Sequence, residues 1–203
     1  NFFGDVFVQQ NEDKVMECIL ASTSPRRKEL LTLIVGQFQT LDPAVQEKPY
    51  PELSAKQKAL QLSKDKCRGA MVIAGTKDKL IIASDTVVEY RGRVFEKPKN
   101  QAQAYNMIKQ LSGDCHRVHS GVSVYYKGAI YSFTQTTKVY FDTIDDKTIK
   151  EYIKTCEPYD KAGGYAIQGF MAGYIKKIDG NYQNVVGLPV QRLNKLLKTI
   201  KAI

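Results

Sequence analysis

The chain has 203 residues, 43% of them hydrophobic and 25% charged, and a mean hydropathy of −0.34. Those values belong to an ordinary globular protein and exclude a disordered or fibrous one, and no stretch reaches the roughly 18 consecutive apolar residues of a membrane span. Thirty Lys and Arg against 21 Asp and Glu leave a net charge of +9, which predicts attraction to polyanions without choosing among a triphosphate, a nucleic acid and an acidic membrane surface.

Residues 1–14 read as an N-terminal extension: they lack the basic start, long apolar run and small-residue cleavage site of a secretory signal. The remainder, 15–203, reads as one catalytic unit. Its four cysteines (Cys18, Cys67, Cys115, Cys156) contain no C-x-x-C pair, so a zinc ribbon or thioredoxin-type site is excluded. Free thiols in a reducing cytoplasm are expected.

The first predicted element is an apolar strand over 15–21. Ser22-Thr23-Ser24-Pro25 breaks it, and a helix opens at Pro25 with Leu30, Leu31, Leu33 and Ile34 on its apolar face. Ser24 is a fitting N-cap and Pro25 a fitting first helical residue. Arg26, Arg27 and Lys28 are not, because the positive end of the helix dipole disfavours cations by about 0.3–1 kcal/mol each. A bound polyphosphate reverses that balance: free backbone N–H groups and two guanidiniums point at one anion, with the Ser22 and Ser24 hydroxyls beside them. A solvated basic helix face accounts for the same residues, and both readings stand at this point. No G-x-x-x-x-G-K-[ST] loop occurs.

A second helix is predicted over 54–67, then an apolar strand over 80–88 interrupted by Ser84-Asp85-Thr86. A carboxylate there must end the strand in water, bind a cation or be hydrogen-bonded, since an unpaired buried charge is costly. Tyr90-Arg91-Gly92-Arg93 reads as a turn into Val94-Phe95, with Lys97-Pro98 beyond. A third helix over 101–111 precedes two β-rich runs, 117–126 and 129–141, joined at Lys127-Gly128 as an antiparallel hairpin. Helix over 145–155, loop over 157–169, strand over 172–178 and a closing amphipathic helix over 189–201 complete an α/β pattern. The loop holds Lys161-Ala162-Gly163-Gly164-Tyr165-Ala166-Ile167-Gln168-Gly169, whose glycines allow positive φ or close approach to a ligand.

The ordered set Ala21-Ser22-Thr23-Ser24-Pro25-Arg26-Arg27, Ser84-Asp85-Thr86-Val87-Val88, Lys97-Pro98, Leu111-Ser112-Gly113, the Lys161 to Gly169 loop and Asn184-Val185-Val186-Gly187-Leu188-Pro189 resembles the Maf family of nucleotide pyrophosphatases. The resemblance implies the inosine triphosphate pyrophosphatase-like fold, a mixed twisted sheet with flanking helices in two lobes around a central cleft, and a homodimer. It implies phosphate binding by Ser22, Arg26 and Arg27, with Lys66 and Lys97 as further cations. It implies Mg²⁺, or Mn²⁺, on Asp85 and on Glu47 of Val45-Gln46-Glu47, where Gln46 replaces the family's usual Asp. Lys161 and Gln168 resemble the branch acting on dTTP and UTP rather than the one preferring 7-methyl-GTP. Phe95-Glu96 and His119 depart from the family pattern at positions with no implied chemistry.

In-line attack of water on the α-phosphorus is then expected, with Asp85 as base or water-orienting group and Arg26, Arg27, Lys66 and Lys97 stabilising the leaving pyrophosphate. Modified pyrimidine triphosphates are an equal expectation as substrates. The rival of another class is a basic nucleic-acid-binding module, disfavoured because its cations stand beside Asp85 and Glu47.

Overall fold

The computed structural model describes residues 16–203; the extension over 1–14 lies outside the described residues. Seven strands form one mixed sheet in the order β2-β1-β3-β5-β6-β7, with β4 attached to β3. They are β1 (Glu17–Leu20), β2 (Gln39–Thr40), β3 (Lys79–Tyr90), β4 (Arg93–Phe95), β5 (Cys115–Tyr126), β6 (Ala129–Phe141) and β7 (Ile175–Asp179). The helices are α1 (Pro25–Leu31), α2 (Ala55–Ala74), α3 (Gln101–Leu111), α4 (Asp146–Tyr152), α5 (Tyr182–Val186) and α6 (Val190–Thr199). β1 runs parallel to β2 and β3, and all other pairs are antiparallel. Among the described residues no helix is long and apolar enough to cross a membrane.

Side-chain alternation along β3 sets the architecture. Its odd residues Ile81, Ala83 and Val87 pack under α2, with Ala59, Leu62, Cys67 and Ala70. Its even residues change character along the strand. Leu80 and Ile82 join Leu31, Leu188, Leu193 and Leu197 in a core with α1 and α6. Val88 and Tyr90 join Ile108, Leu111, Ile149 and Tyr152 in a second core with α3 and α4. Ser84 and Thr86 fall between, so one face of one strand carries two apolar cores separated by a polar step.

The edges of β3 matter as much. β5 pairs it continuously from Leu80 to Glu89. On the opposite edge β1 reaches only as far as Ile82 and β4 begins at Val88. Residues 83–87 therefore have no strand neighbour on that edge, and Asp85 lies in the middle of the gap.

The second helix extends past the expected end at Cys67 to Ala74. Gly69, two residues past the expected end, is helical and is glycine for a packing reason: a Cβ there would lie 2.4 Å from Val45 Cγ2 and 2.6 Å from the Pro43 carbonyl oxygen. The helix stops instead at Gly75, whose φ of 74° breaks it. Ser54 begins it with a reciprocal capping box, accepting from the Gln57 N–H while Gln57 Oε1 accepts from the Ser54 N–H. The strand expected from residue 172 begins at Ile175, because residues 170–174 wind into a 3₁₀ turn under Tyr152. The two-residue β2 and the single-turn α5 are too short for a periodic pattern to declare them.

Candidate active site

The gap beside β3 opens into a cleft of about 750 Å³. Every residue assigned to chemistry from the sequence lines it: Ser22, Ser24, Arg26, Arg27, Glu47, Lys66, Asp85, Lys97, Lys161 and Gln168. They arrive from five directions, namely the β1–α1 turn, the 42–47 loop, α2, β3 with its continuation past β4, and the 157–169 loop.

The β1–α1 turn has the form an anion site requires. Ser24 caps α1, accepting the Arg27 N–H at 3.4 Å, and Ser22 Oγ accepts the Ser24 N–H at 3.1 Å. Each hydroxyl thereby keeps its own proton for another acceptor. The first turn contains no acid, so its positive end is uncompensated by the protein.

Arg27 is fixed. Its Nε donates to the Gly187 carbonyl at 2.9 Å and its Nη2 to Thr86 Oγ1 at 3.1 Å. Ser84 Oγ donates to the same Gly187 oxygen at 2.9 Å, and Thr86 Oγ1 is 2.8 Å from Ser120 Oγ, which donates to the Asn184 carbonyl. Asn184 is itself buried, donating to the Val118 carbonyl and Thr137 Oγ1. Burial pushes the Arg27 pKa down, and neighbouring Asp85 restores part of the loss. The polar step of β3 is thus the seat of this guanidinium. Of these positioning groups, Ser84, Thr86 and the Asn184 to Gly187 segment stand in the motifs without an assigned role, and Ser120 is not singled out by any of them. A polar residue at each place where an apolar strand or helix needs Val or Leu is the signal that marks them.

Asp85 faces α2 from the middle of β3, 7% exposed. It does not end the strand in water; it is ion-paired. Lys66 Nζ contacts Asp85 Oδ1 and also lies 2.9 Å from Glu47 Oε1. Burial raises the Asp85 pKa, opposed by the Lys66 and Arg27 charges. Burial also acts upward on Glu47, but the hydrogen bond and charge of Lys66 outweigh it and hold that carboxyl below its ordinary value. Gly121, opposite Asp85 in the β3–β5 register, makes this contact possible. A Cβ at Gly121 would lie 2.2 Å from the Ala59 carbonyl oxygen, so the glycine lets α2 rest directly on the sheet.

Arg26 and Lys97 line the cleft, and neither has a hydrogen-bond or ion-pair partner among the described residues. Lys161 is engaged by its own loop, donating to the Glu157 carbonyl at 3.0 Å and to Asp160. Gly163 and Gly164 take φ of 73° and 75°, which turns the loop so that the Gly163 N–H donates to the Glu96 carbonyl at 3.2 Å. Gln168 is exposed at the cleft's rim. Of the other family departures, Phe95 and Glu96 line the cleft, where Glu96 pairs with Lys58 of α2, and His119 is buried away from it between Glu89 and Thr136.

The chain matches the Maf-like protein family over residues 17–200. The chain belongs to the Maf family. It is 45% identical over 185 residues to the dTTP/UTP pyrophosphatase of Carboxydothermus hydrogenoformans, covering 90% of this chain and 98% of that protein. It is 43% identical over 186 residues to the Clostridium tetani protein of the same name, covering 90% and 97%. With the Escherichia coli O157:H7 protein of that name it shares 38% over 184 residues, covering 91% and 93%. The Staphylococcus aureus Ham1 structure superposes with a TM-score of 0.50 at 14% identity, covering 90% of this chain and 98% of that one. That likeness concerns the fold alone and agrees with the mixed twisted sheet and flanking helices expected for a Maf protein.

The Maf loop from Lys161 to Gly169 is anchored to the sheet through His116, which is 1% exposed and hydrogen-bonded through Nε2 to the Tyr165 hydroxyl. Both rings stack edge-on with Phe141. Burial lowers the His116 pKa to about 4, below the ordinary value near 6.5. The unfolded chain therefore binds the extra proton first as pH falls. Stability is complete above about pH 6.5 and declines between there and pH 4, by about 3 kcal/mol in all. Urea denaturation at stepped pH should show that slope in the native chain and lose most of it in His116→Phe.

Proposed function

We propose that this chain hydrolyses pyrimidine nucleoside triphosphates, dTTP and UTP first among them, to the monophosphate and pyrophosphate. The observation that carries the reading is the meeting, in one cleft, of an anion-binding helix start with a buried carboxylate. Ser22, Ser24, Arg26 and Arg27 supply the first, and Asp85 on the unpaired edge of β3 the second. The names of the relatives supply the base.

The chemistry follows from placement. A triphosphate seated on the helix start puts its phosphate oxygens against Arg26 and the fixed Arg27. A water beside Asp85 attacks the α-phosphorus, its proton passes to an Asp85 oxygen, and the bond from the α-phosphorus to the bridging oxygen breaks. Pyrophosphate leaves with that bonding pair, neutralised by Arg26, Arg27 and Lys97. Burial that raises the Asp85 pKa makes it a better proton acceptor.

The donor set fits a divalent cation such as Mg²⁺ or Mn²⁺. Two carboxylates, Asp85 and Glu47, converge on one cationic atom, and Mg²⁺ commonly takes one or two carboxylates together with substrate phosphates. No group of three or more His, Cys, Asp or Glu is placed to hold a metal among the described residues, in keeping with a site completed by the substrate. Bound there, the cation would neutralise the phosphates and acidify water.

A screen for pyrophosphate release tests the reading, using dTTP, UTP, modified pyrimidine triphosphates and 7-methyl-GTP with Mg²⁺. Fastest release from dTTP or UTP supports it. Orthophosphate as the product, or a salt-sensitive DNA gel shift with no release from any triphosphate, sinks it. Within the same assay Thr86→Val should raise KM by about tenfold, the value of one lost hydrogen bond to a charged group. Thr86→Ser should restore it, because Arg27 regains its acceptor.

A further inference from the structure

Lys66 stands where a divalent cation is wanted. Its ammonium contacts Asp85 and Glu47 together, the two carboxylates that the reading above gives to the metal. No other cation among the described residues pairs with both. Arg27 is committed to Gly187 and Thr86. We infer that Lys66 is a built-in occupant of the metal position in the substrate-free protein, and that a divalent cation must displace it to bind.

The two ends of this contact differ in rigidity. Lys66 rises from α2, which Gly121 seats against the sheet, and Asp85 is fixed in β3. Glu47 lies on the 42–47 loop with its side chain 52% exposed, so the Glu47 end of the contact is the one open to an arriving cation. Without a partner cation, two carboxylates this close repel, and the buried one is costly. Lys66 removes that cost while the cleft is empty. A divalent cation arriving alone must break both ion pairs and leave an ammonium partly buried without a counter-charge. Arriving with a triphosphate, it offers Lys66 a phosphate oxygen in exchange. Metal and nucleotide are thereby made to bind together, and the empty site resists filling by free metal ions.

The test is Mn²⁺ binding to the nucleotide-free protein, followed by electron paramagnetic resonance, for the native chain, Lys66→Met and Lys66→Met/Asp85→Asn. Lys66→Met is expected to bind Mn²⁺ about tenfold more tightly than the native chain, which is about 1.4 kcal/mol, and the double variant should lose that gain. Equal or weaker binding by Lys66→Met overturns the inference. Should that variant fail to fold, side-chain NMR of the native protein decides: saturating Mg²⁺ must shift the Lys66 ammonium resonance, and an unmoved resonance overturns the inference equally. Neither readout needs turnover. A protein that binds metal as expected but releases no pyrophosphate would discredit the proposed reaction and leave this exchange standing.

Discussion

Asp85→Asn is expected to lower the rate of pyrophosphate release by about a thousandfold, within the range lost with a positioned general base, while the protein stays folded. The amide keeps the size of the carboxylate and removes a charge from a buried position, and Lys66 retains Glu47 as its partner. Thermal denaturation and a single-turnover assay with dTTP, run side by side, separate the two effects. A folded variant with native activity would remove Asp85 from the mechanism and require another acceptor for the water proton.

Gly121→Val should do the reverse, harming stability first. The added carbons would meet the Ala59 carbonyl and the Leu60 Cα, 2.2 Å and 2.6 Å from the ideal Cβ position. These are backbone atoms of a helix and cannot turn aside. Overpacking of this kind costs about 3 kcal/mol or more, readable as a lowered urea midpoint. The damage should reach the cleft, because Ala59 and Lys66 lie seven residues apart on one face of α2. Lifting the helix lifts the lysine. Gly121→Ala should show a smaller fall in midpoint with the same loss of activity per unit of displacement, and an unchanged midpoint in both variants would contradict the close packing of α2 on β5.

Much of this was legible in the sequence because its signals are local. Pro25 after a Ser cap marks the helix start, while cations where a helix start wants acids and Asp85 inside an apolar run each violate a short-range preference; Arg26, Arg27 and Asp85 all lie on the cleft. The third helix and the hairpin likewise follow from composition and turn residues over their own lengths. What stayed hidden depends on distant pairing. Gly69 and Gly121 look like interruptions until the loop and helix that lie against them are known. The Arg27 seat joins β3, β5 and α5, with Gly187 160 positions away along the chain, and no periodicity encodes such a meeting. The ion pair of Lys66 with two acids of separate elements belongs to the same class.

The unpaired stretch of β3 also bears on how the cleft can move. Its floor is a strand that runs unbroken from one core to the other, hydrogen-bonded along its far edge to β5 and through it to β6. A hinge between the cores would have to bend three long strands at once. The walls are therefore held at a fixed separation, and the 157–169 loop is tied to them through Tyr165 and Gly163, so closing over a substrate falls to the 42–47 loop. Such a molecule offers its substrate a stiff palm with one free finger, and its selectivity lies in what the palm already fits.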